Sequence, residues 1–331
     1  MSRLYKRLGR VGLTRQYIRS TVLPSWWDDE IALNPAGYAQ GLLLLARHLG
    51  LDLSSLQDDT VPVRLRELGS CKYKKREDVS EDDLALCRMM AIRIAQMADE
   101  AMELPPQLTA QSADEIRQTI LDTGAPWVGL PGLLDYCWSV GIPVLHLDHF
   151  PKNARRPDGF AARVKGRPVI ILCVRKKQSA WQLFILAHEL GHIGRGHILG
   201  DGALLDDKVD ENSLDAEEIE ANTFALELLT GSAPRRFRAC GRWPNAQKLA
   251  EEAQQIGRNQ KIDPGHVVLN YAHSMGRDFF AVANAALARL EVHADAIKTI
   301  RATVADRLDW SRLPEESSEF LMRVTRHEDA E

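Results

Sequence analysis

Apolar residues recur three and four positions apart over much of this chain, which is the spacing of a buried helix face. The pattern predicts a helix that begins after Asn34-Pro35 and ends at Gly50. It predicts a longer helix from Glu81 to Met102, whose apolar positions are too dense for one exposed face. Further helices are predicted over residues 114–123, 130–140, 181–194 and 217–229, and again after residue 232.

A central region carries strand signals instead. Three apolar runs of strand length are Ile142–Leu147, Gly159–Val164 and Pro168–Val174. Lys165-Gly166, between the last two runs, is typical of a hairpin turn. Together the patterns predict an α+β fold that is mostly helical, with a small, largely antiparallel three-stranded sheet packed on the helix at 181–194.

The paired prolines after Leu104 stop the second helix and indicate a first domain boundary. We therefore expect a helical N-terminal domain over residues 1–104, in which a helix-turn-helix is an open alternative. A mixed core is expected over residues 112–232, and a helical region over residues 233–331.

Composition narrows the class of protein. The 331 residues carry a net charge of −4 and no apolar run near the ~18 residues of a membrane span. The five cysteines are scattered without a CxxC pair, which favours free thiols in a reducing cytoplasm. Residues 1–27 contain six basic and no acidic side chains, so an N-terminal contact with DNA or an acidic partner is possible. Residues 201–220, in contrast, are strongly acidic.

One motif carries specific chemistry, the HExxH sequence from His188 to His192. Two histidines four positions apart lie on one helix face and can bind the same metal ion. Glu189 is offset by one residue, beside the ion, where it can accept a proton from a bound water. Zinc suits this site because imidazole is one of its preferred ligands.

A catalytic zinc of this kind takes three protein ligands, so a third is needed. A third histidine six positions after His192 would match the pattern HExxHxxGxxH, but that position is Ile198. His197 is one position short, which suggests a supporting residue or a helix end. The helix at 217–229 offers Glu218, with Asn222 four positions later on the same face to bond a ligand histidine. Glu217 and Glu220 remain alternative ligands.

Residues 130–229 resemble the ImmA/IrrE family of metallo-endopeptidases. The resemblance rests on Gly141–Val144, the hairpin, Phe184–His192 and the run Glu-x-Glu-Ala-Asn-x-Phe-Ala-x-x-Leu-Leu at 218–229. The family often continues that run with Met-Pro, whereas this chain has Thr230-Gly231. The resemblance implies a zincin-like core with one Zn²⁺ per chain held by His188, His192 and Glu218. It also implies that Glu189 is the general base.

The same resemblance implies a cytoplasmic zinc endopeptidase that cleaves a specific intracellular protein, a transcriptional repressor. A further donor for the reaction intermediate is sought in the C-terminal region at His273, His266 or Tyr271. The alternative is a DNA- or protein-binding regulator, or a toxin–antitoxin-like component, with a non-catalytic zinc site. Glu189 favours the enzyme, because a structural zinc does not require it. A second cluster, His146, Asp148 and His149, is interpreted as a polar strand end.

Overall fold

Helices make up most of the computed structural model. It describes residues 1–66, 70–74, 81–103, 105–106, 111–147, 149–151, 156–198, 200–206, 215–233, 237, 245–292 and 295–325. The α-helices in these ranges are α1 (Ser2–Arg10), α2 (Arg15–Tyr17), α3 (Pro35–Leu49), α4 (Leu53–Gln57), α5 (Glu81–Glu100), α6 (Ala113–Asp122), α7 (Leu130–Ser139), α8 (Ser179–Gly194), α9 (Ala216–Thr230), α10 (Ala246–Gln260), α11 (Pro264–Met275), α12 (Phe280–Leu290), α13 (Ala296–Arg307) and α14 (Glu315–Thr325).

Local signals account for most helix boundaries. Asn34 caps α3, where its side chain accepts a hydrogen bond from the Gly37 backbone, and Gly50 ends the helix in the left-handed conformation. The predicted helix from Glu81 corresponds to α5. The four predicted between residues 114 and 229 correspond to α6, α7, α8 and α9.

A mixed sheet lies at the centre of the fold. Its strands are β1 (Ser70–Lys74), β2 (Val144–His146), β3 (Gly159–Val164), β4 (Arg167–Leu172) and β5 (Gly202–Asp206). They lie in the order β1-β5-β3-β4-β2. β3 is antiparallel to β4 and to β5, whereas β1 is parallel to β5 and β2 is parallel to β4. Lys165 and Gly166 both have positive φ in the predicted hairpin turn.

The α+β class and the sheet on α8 are confirmed, but the predicted sheet needs correction. It has five strands in the described residues rather than three, and half of its pairings are parallel. β1 is short and polar in sequence, and β5 begins the acidic segment, so neither carries a clear strand pattern. The parallel pairs join strands that are distant in the chain, which local turn signals cannot reveal.

Each face of the sheet is buried by helices. Phe160 and Ala162 of β3 contribute to a core shared with α5, whereas Ile170 and Leu172 of β4 contribute to a core shared with α7 and α8. Strands buried on both faces are apolar at nearly every position. Every residue of β4 is buried, and its last four residues are apolar. The sheet therefore holds α8 firmly from one side.

The N-terminal and C-terminal regions of the chain pack together beside the sheet. Asp99 near the end of α5 forms an ion pair with Arg167 at the start of β4, with 2.7 Å between Oδ1 and Nε. Phe320 of α14 stacks on His48 of α3, with 4.8 Å between ring centroids. The division at residues 104 and 233 stays a prediction. In the structure the first and last regions share one core, and α5 covers the sheet.

Three other expectations concern surfaces and spans. After α1 and before residue 67, the described helices include the fifteen-residue α3 and the five-residue α4, and a helix-turn-helix there stays a prediction. The acidic segment 201–220 lies partly outside the described residues, at 207–214. No described helix is long and apolar enough to cross a membrane.

Candidate metal centre

The HExxH motif lies in the second half of the sixteen-residue helix α8. The side chains of His188, Glu189 and His192 are completely buried. The helix start is anchored by Gln182, whose amide donates hydrogen bonds to the carbonyls of Val174 and Lys176 at 2.7 and 2.9 Å. Buried polar groups are costly without partners, so the three motif side chains must be satisfied within the fold.

Helix α9 supplies partners for the two histidines because two glycines of α8 let the helices approach closely. A Cβ at Gly191 would lie 3.0 Å from the carbonyl oxygen and 3.1 Å from the Cα of Ala221. A Cβ at Gly194 would lie 3.2 Å from the ring of Phe224. The backbones of α8 and α9 are therefore in close contact where α8 carries the two histidines and α9 begins.

Both ends of α9 are fixed. Asp215 caps the first turn by accepting hydrogen bonds from the backbone of Glu217 and Glu218. At the other end the buried guanidinium of Arg117 donates to the carbonyls of Leu228 and Leu229 at 3.1 and 2.9 Å. A cation at a helix C-terminus also interacts favourably with the helix dipole.

Three side chains converge between the helices. The Nε2 atoms of His188 and His192 lie 3.0 Å apart, and each lies 3.4 Å from a carboxylate oxygen of Glu218. One ligand atom from each residue lies within 4.8 Å of the others. Ligands on a tetrahedral zinc with bonds of about 2.0–2.1 Å would be about 3.3 Å apart. The nitrogen and oxygen donors and their spacing therefore fit a single metal ion of this type.

The second ring nitrogen of His188, the outer nitrogen Nδ1, has a hydrogen-bond partner on α9. Its Nδ1 lies 3.1 Å from Oδ1 of Asn222, four residues after Glu218 on α9. An amide oxygen only accepts hydrogen bonds, so Nδ1 carries the proton and Nε2 keeps its lone pair toward the metal group. Asn222 thus lies where its spacing from Glu218 predicts.

The outer nitrogen of His192 has a different partner. Its Nδ1 lies 2.8 Å from Nδ1 of His197, and Nε2 of His197 lies 3.1 Å from a carboxylate oxygen of Glu220. Of the three candidate acids, Glu218 is the one at the histidines, whereas Glu217 lies half-buried in the first turn of α9. Sequence analysis gave Glu220 as an alternative ligand and missed its contact with His197.

Glu189 lies against the sheet rather than among the three converging atoms. A Cβ at Gly159, the first residue of β3, would lie 2.8 Å from Oε1 of Glu189 and 2.7 Å from Cγ2 of Ile185. The absence of a side chain at Gly159 therefore makes room for the carboxylate. Sequence analysis missed Gly159, because nothing local distinguishes it from a strand-end glycine.

The C-terminal candidates lie along the first half of α8, on α11. His266 is buried and its ring stacks on Phe184, with 6.0 Å between centroids. Burial lowers the pKa of His266 to about 3, so this imidazole is neutral at pH 7. His273 contacts the ring of Trp181 on α8. Trp181 precedes His188 by seven residues, which is about 10 Å along the helix axis. Tyr271 packs on Phe279. Their roles in catalysis stay predictions.

The second histidine cluster has other contacts. His146 Nε2 lies 2.9 Å from the Val174 carbonyl, and the His149 carbonyl accepts a hydrogen bond from Tyr17. Asp148 lies outside the described residues. Within the described part of the chain, one group of three or more His, Cys, Asp or Glu side chains can hold a metal ion. It consists of His188, His192 and Glu218.

Comparison with known proteins agrees with this geometry. Residues 137–255 match the family model for the IrrE N-terminal-like domain, peptidase family M78. This match covers about a third of the chain and supports the resemblance of that segment to the ImmA/IrrE family. The matched segment of this metallopeptidase family runs from α7 into α10 and contains both α8 and α9. No curated protein and no solved structure matches the chain.

Proposed function

We propose that this protein is a zinc-dependent endopeptidase of the ImmA/IrrE family that cleaves a specific intracellular protein, a transcriptional repressor. The observation that carries the proposal is the convergence of His188, His192 and Glu218, with Glu189 buried on the same helix as the two histidines. All four residues lie in the segment that matches the peptidase family. One Zn²⁺ per chain is the proposed cofactor.

The chemistry follows from what each side chain can do. A bound Zn²⁺ ion would polarise the peptide carbonyl and lower the pKa of water toward ~7. His188, His192 and Glu218 would hold this ion. Glu189 accepts a proton from the attacking water and delivers it to the leaving amine. Gly159 leaves space for that carboxylate, and Asn222 holds His188 in the tautomer that binds metal.

Contact with DNA through the N-terminal region is a second, separate proposal. The guanidinium of Arg7 is directed inward, where it donates to the carbonyls of Leu56 and Val61 at 3.1 and 3.0 Å. Arg15 is exposed but lies 2.7 Å from Asp29. Exposed basic side chains remain on α1 at Arg3, Lys6 and Arg10. Salt-sensitive retention on duplex DNA, lost when these three are changed to Glu, would support this contact.

A cytoplasmic location is part of the proposal. Cys137 and Cys173 are buried free thiols. Burial raises the pKa of the Cys137 thiol, which keeps it protonated and unreactive. Such thiols suit a reducing compartment.

The activity is tested with repressor proteins encoded near the gene as candidate substrates. The wild type is expected to cleave one of them, and Glu189→Gln is expected to abolish cleavage while zinc stays bound. A removed general base typically costs ~10²–10⁴-fold in rate. Undiminished cleavage by zinc-loaded Glu189→Gln would show that the role assigned to Glu189 is wrong. Glu227→Gln, which changes a half-exposed acid on α9, is the matched control.

A further inference from the structure

We propose that His197 and Glu220 are positioning residues that orient His192 for metal binding through a chain of two hydrogen bonds. This inference rests on the proposed metal centre and extends it beyond the three ligands. The chain runs from Nδ1 of His192 to Nδ1 of His197 at 2.8 Å, and from Nε2 of His197 to Oε2 of Glu220 at 3.1 Å.

The chemistry of the three groups fixes the direction of the chain. An ionised carboxylate only accepts hydrogen bonds, so Nε2 of His197 donates to Glu220. In the neutral ring the other nitrogen, Nδ1, then has a lone pair and accepts from Nδ1–H of His192. The Nε2 of His192 is left with its lone pair toward His188 and Glu218. The exposed end of the chain thus selects the tautomer of His192 that can bind metal.

The end of α8 explains why a residue five positions after His192 reaches its ring. Gly196 follows the helix in the left-handed conformation, with φ of 72°. The backbone N–H of Gly196 bonds to the carbonyl of Ile193, and that of His197 bonds to the carbonyl of His192 at 3.0 Å. This pattern is the Schellman motif, in which the side chains at the positions of His192 and His197 often meet. The contact, usually apolar, is here between two imidazoles whose centroids are 5.0 Å apart.

Helix α9 completes the chain from its other side. Glu218 and Glu220 are two positions apart, which is about 200° around a helix. They therefore lie on opposite flanks of the ridge formed by Ala221 and Phe224, which packs on Gly191 and Gly194. From one flank α9 supplies the ligand carboxylate, and from the other it supplies the carboxylate that His197 needs.

Burial predicts unequal contributions from the two residues. The His197 side chain is 6% exposed, whereas that of Glu220 is 58% exposed. An exposed ion pair contributes little by itself, so loss of Glu220 should matter less than loss of His197. Removing a supporting partner of a metal-binding histidine typically weakens metal affinity by ~10–100-fold.

The test measures Zn²⁺ affinity of the full chain by competition with a chromophoric chelator. His197→Ala is expected to weaken binding by about 10–100-fold, and Glu220→Gln by less than about 10-fold. His197→Gln is expected to recover most of the loss, because its amide can accept from His192 and donate to Glu220. Glu227→Gln, which makes the same charge change on the same helix, is expected to bind like wild type. Visible spectra of Co²⁺-loaded protein should shift in His197→Ala and return toward wild type in His197→Gln.

Specific outcomes would overturn the inference. Wild-type affinity in His197→Ala, combined with lost binding in His188→Ala, would refute the positioning role and leave the metal centre intact. Equal weakening by His197→Gln and His197→Ala would show that ring packing matters and the hydrogen bonds do not. Absence of Zn²⁺ binding by the wild type would refute the metal centre and this inference together. If His197→Ala does not fold by circular dichroism, Glu220→Gln against Glu227→Gln decides the question: weaker Zn²⁺ binding in Glu220→Gln alone supports the chain of hydrogen bonds, and equal affinity in both variants overturns it.

Discussion

Helix α8 buries imidazoles in both of its halves, and the two surroundings differ. Near its start, His266 stacks on Phe184, and neither ring nitrogen hydrogen-bonds to a described residue. Near its end, His188 and His192 face each other and Glu218, with partners on their outer nitrogens. The comparison shows that burial alone keeps an imidazole neutral. Converging nitrogens and a carboxylate make a candidate metal centre.

The largest expected effect concerns His266 and the dependence of the unfolding free energy on pH. The pKa of His266 is lowered to about 3 by burial, whereas an unfolded histidine titrates near ~6.5. Between these pH values unfolding takes up a proton, so the contribution to stability is present above pH ~6.5 and is lost as the pH falls. The slope is about 1.4 kcal/mol per pH unit for one group.

Replacing His266 by Phe should remove that slope and retain the metal. The ring keeps its stack on Phe184, and the titrating group is gone. Urea unfolding of wild type and His266→Phe between pH 4 and 7 measures the difference. Equal pH dependence in the two proteins, or loss of zinc from His266→Phe, would contradict the distinction between the two halves of α8.

The next effect concerns the close contact of α8 and α9. Gly191→Ala should destabilise the fold by about 1–3 kcal/mol, because the new Cβ meets the backbone of Ala221, and should weaken zinc binding. Gly9→Ala on α1 is the matched control, since a Cβ there meets nothing within 4 Å. That control should stabilise the helix by about 0.5–1 kcal/mol. Similar unfolding free energies for both variants would show that the contact does not restrict the helices.

A smaller effect is expected at the outer nitrogen of His188. Asn222→Ala should weaken Zn²⁺ affinity by about 10-fold, because the Nδ1–H loses its acceptor. Asn222→Asp keeps an acceptor at that position and should bind at least as tightly as wild type. Chelator competition measures both. An unchanged affinity in Asn222→Ala would mean that His188 does not depend on this contact for its orientation.

Local signals predicted the helices of the core and the spacing of the candidate ligands. Asn34 and Gly50 delimit α3 as expected, and the i and i+4 positions of His188 and His192 place their nitrogens together. The pairing of β1 with β5 was not predicted, because it joins chain segments more than a hundred residues apart. The space at Gly159 and the contact of His197 with Glu220 were missed for the same reason. Both depend on how separate elements pack, which no local pattern encodes.

Metal content by elemental analysis is the most direct test of the proposed centre. Wild type is expected to carry about one zinc per chain, and His188→Ala and Glu218→Ala are each expected to lose it while remaining folded. Zinc retained in Glu218→Ala would contradict the third ligand and direct attention to Glu220 or Glu217. A wild type that binds no zinc when supplied with it would contradict the zinc centre itself.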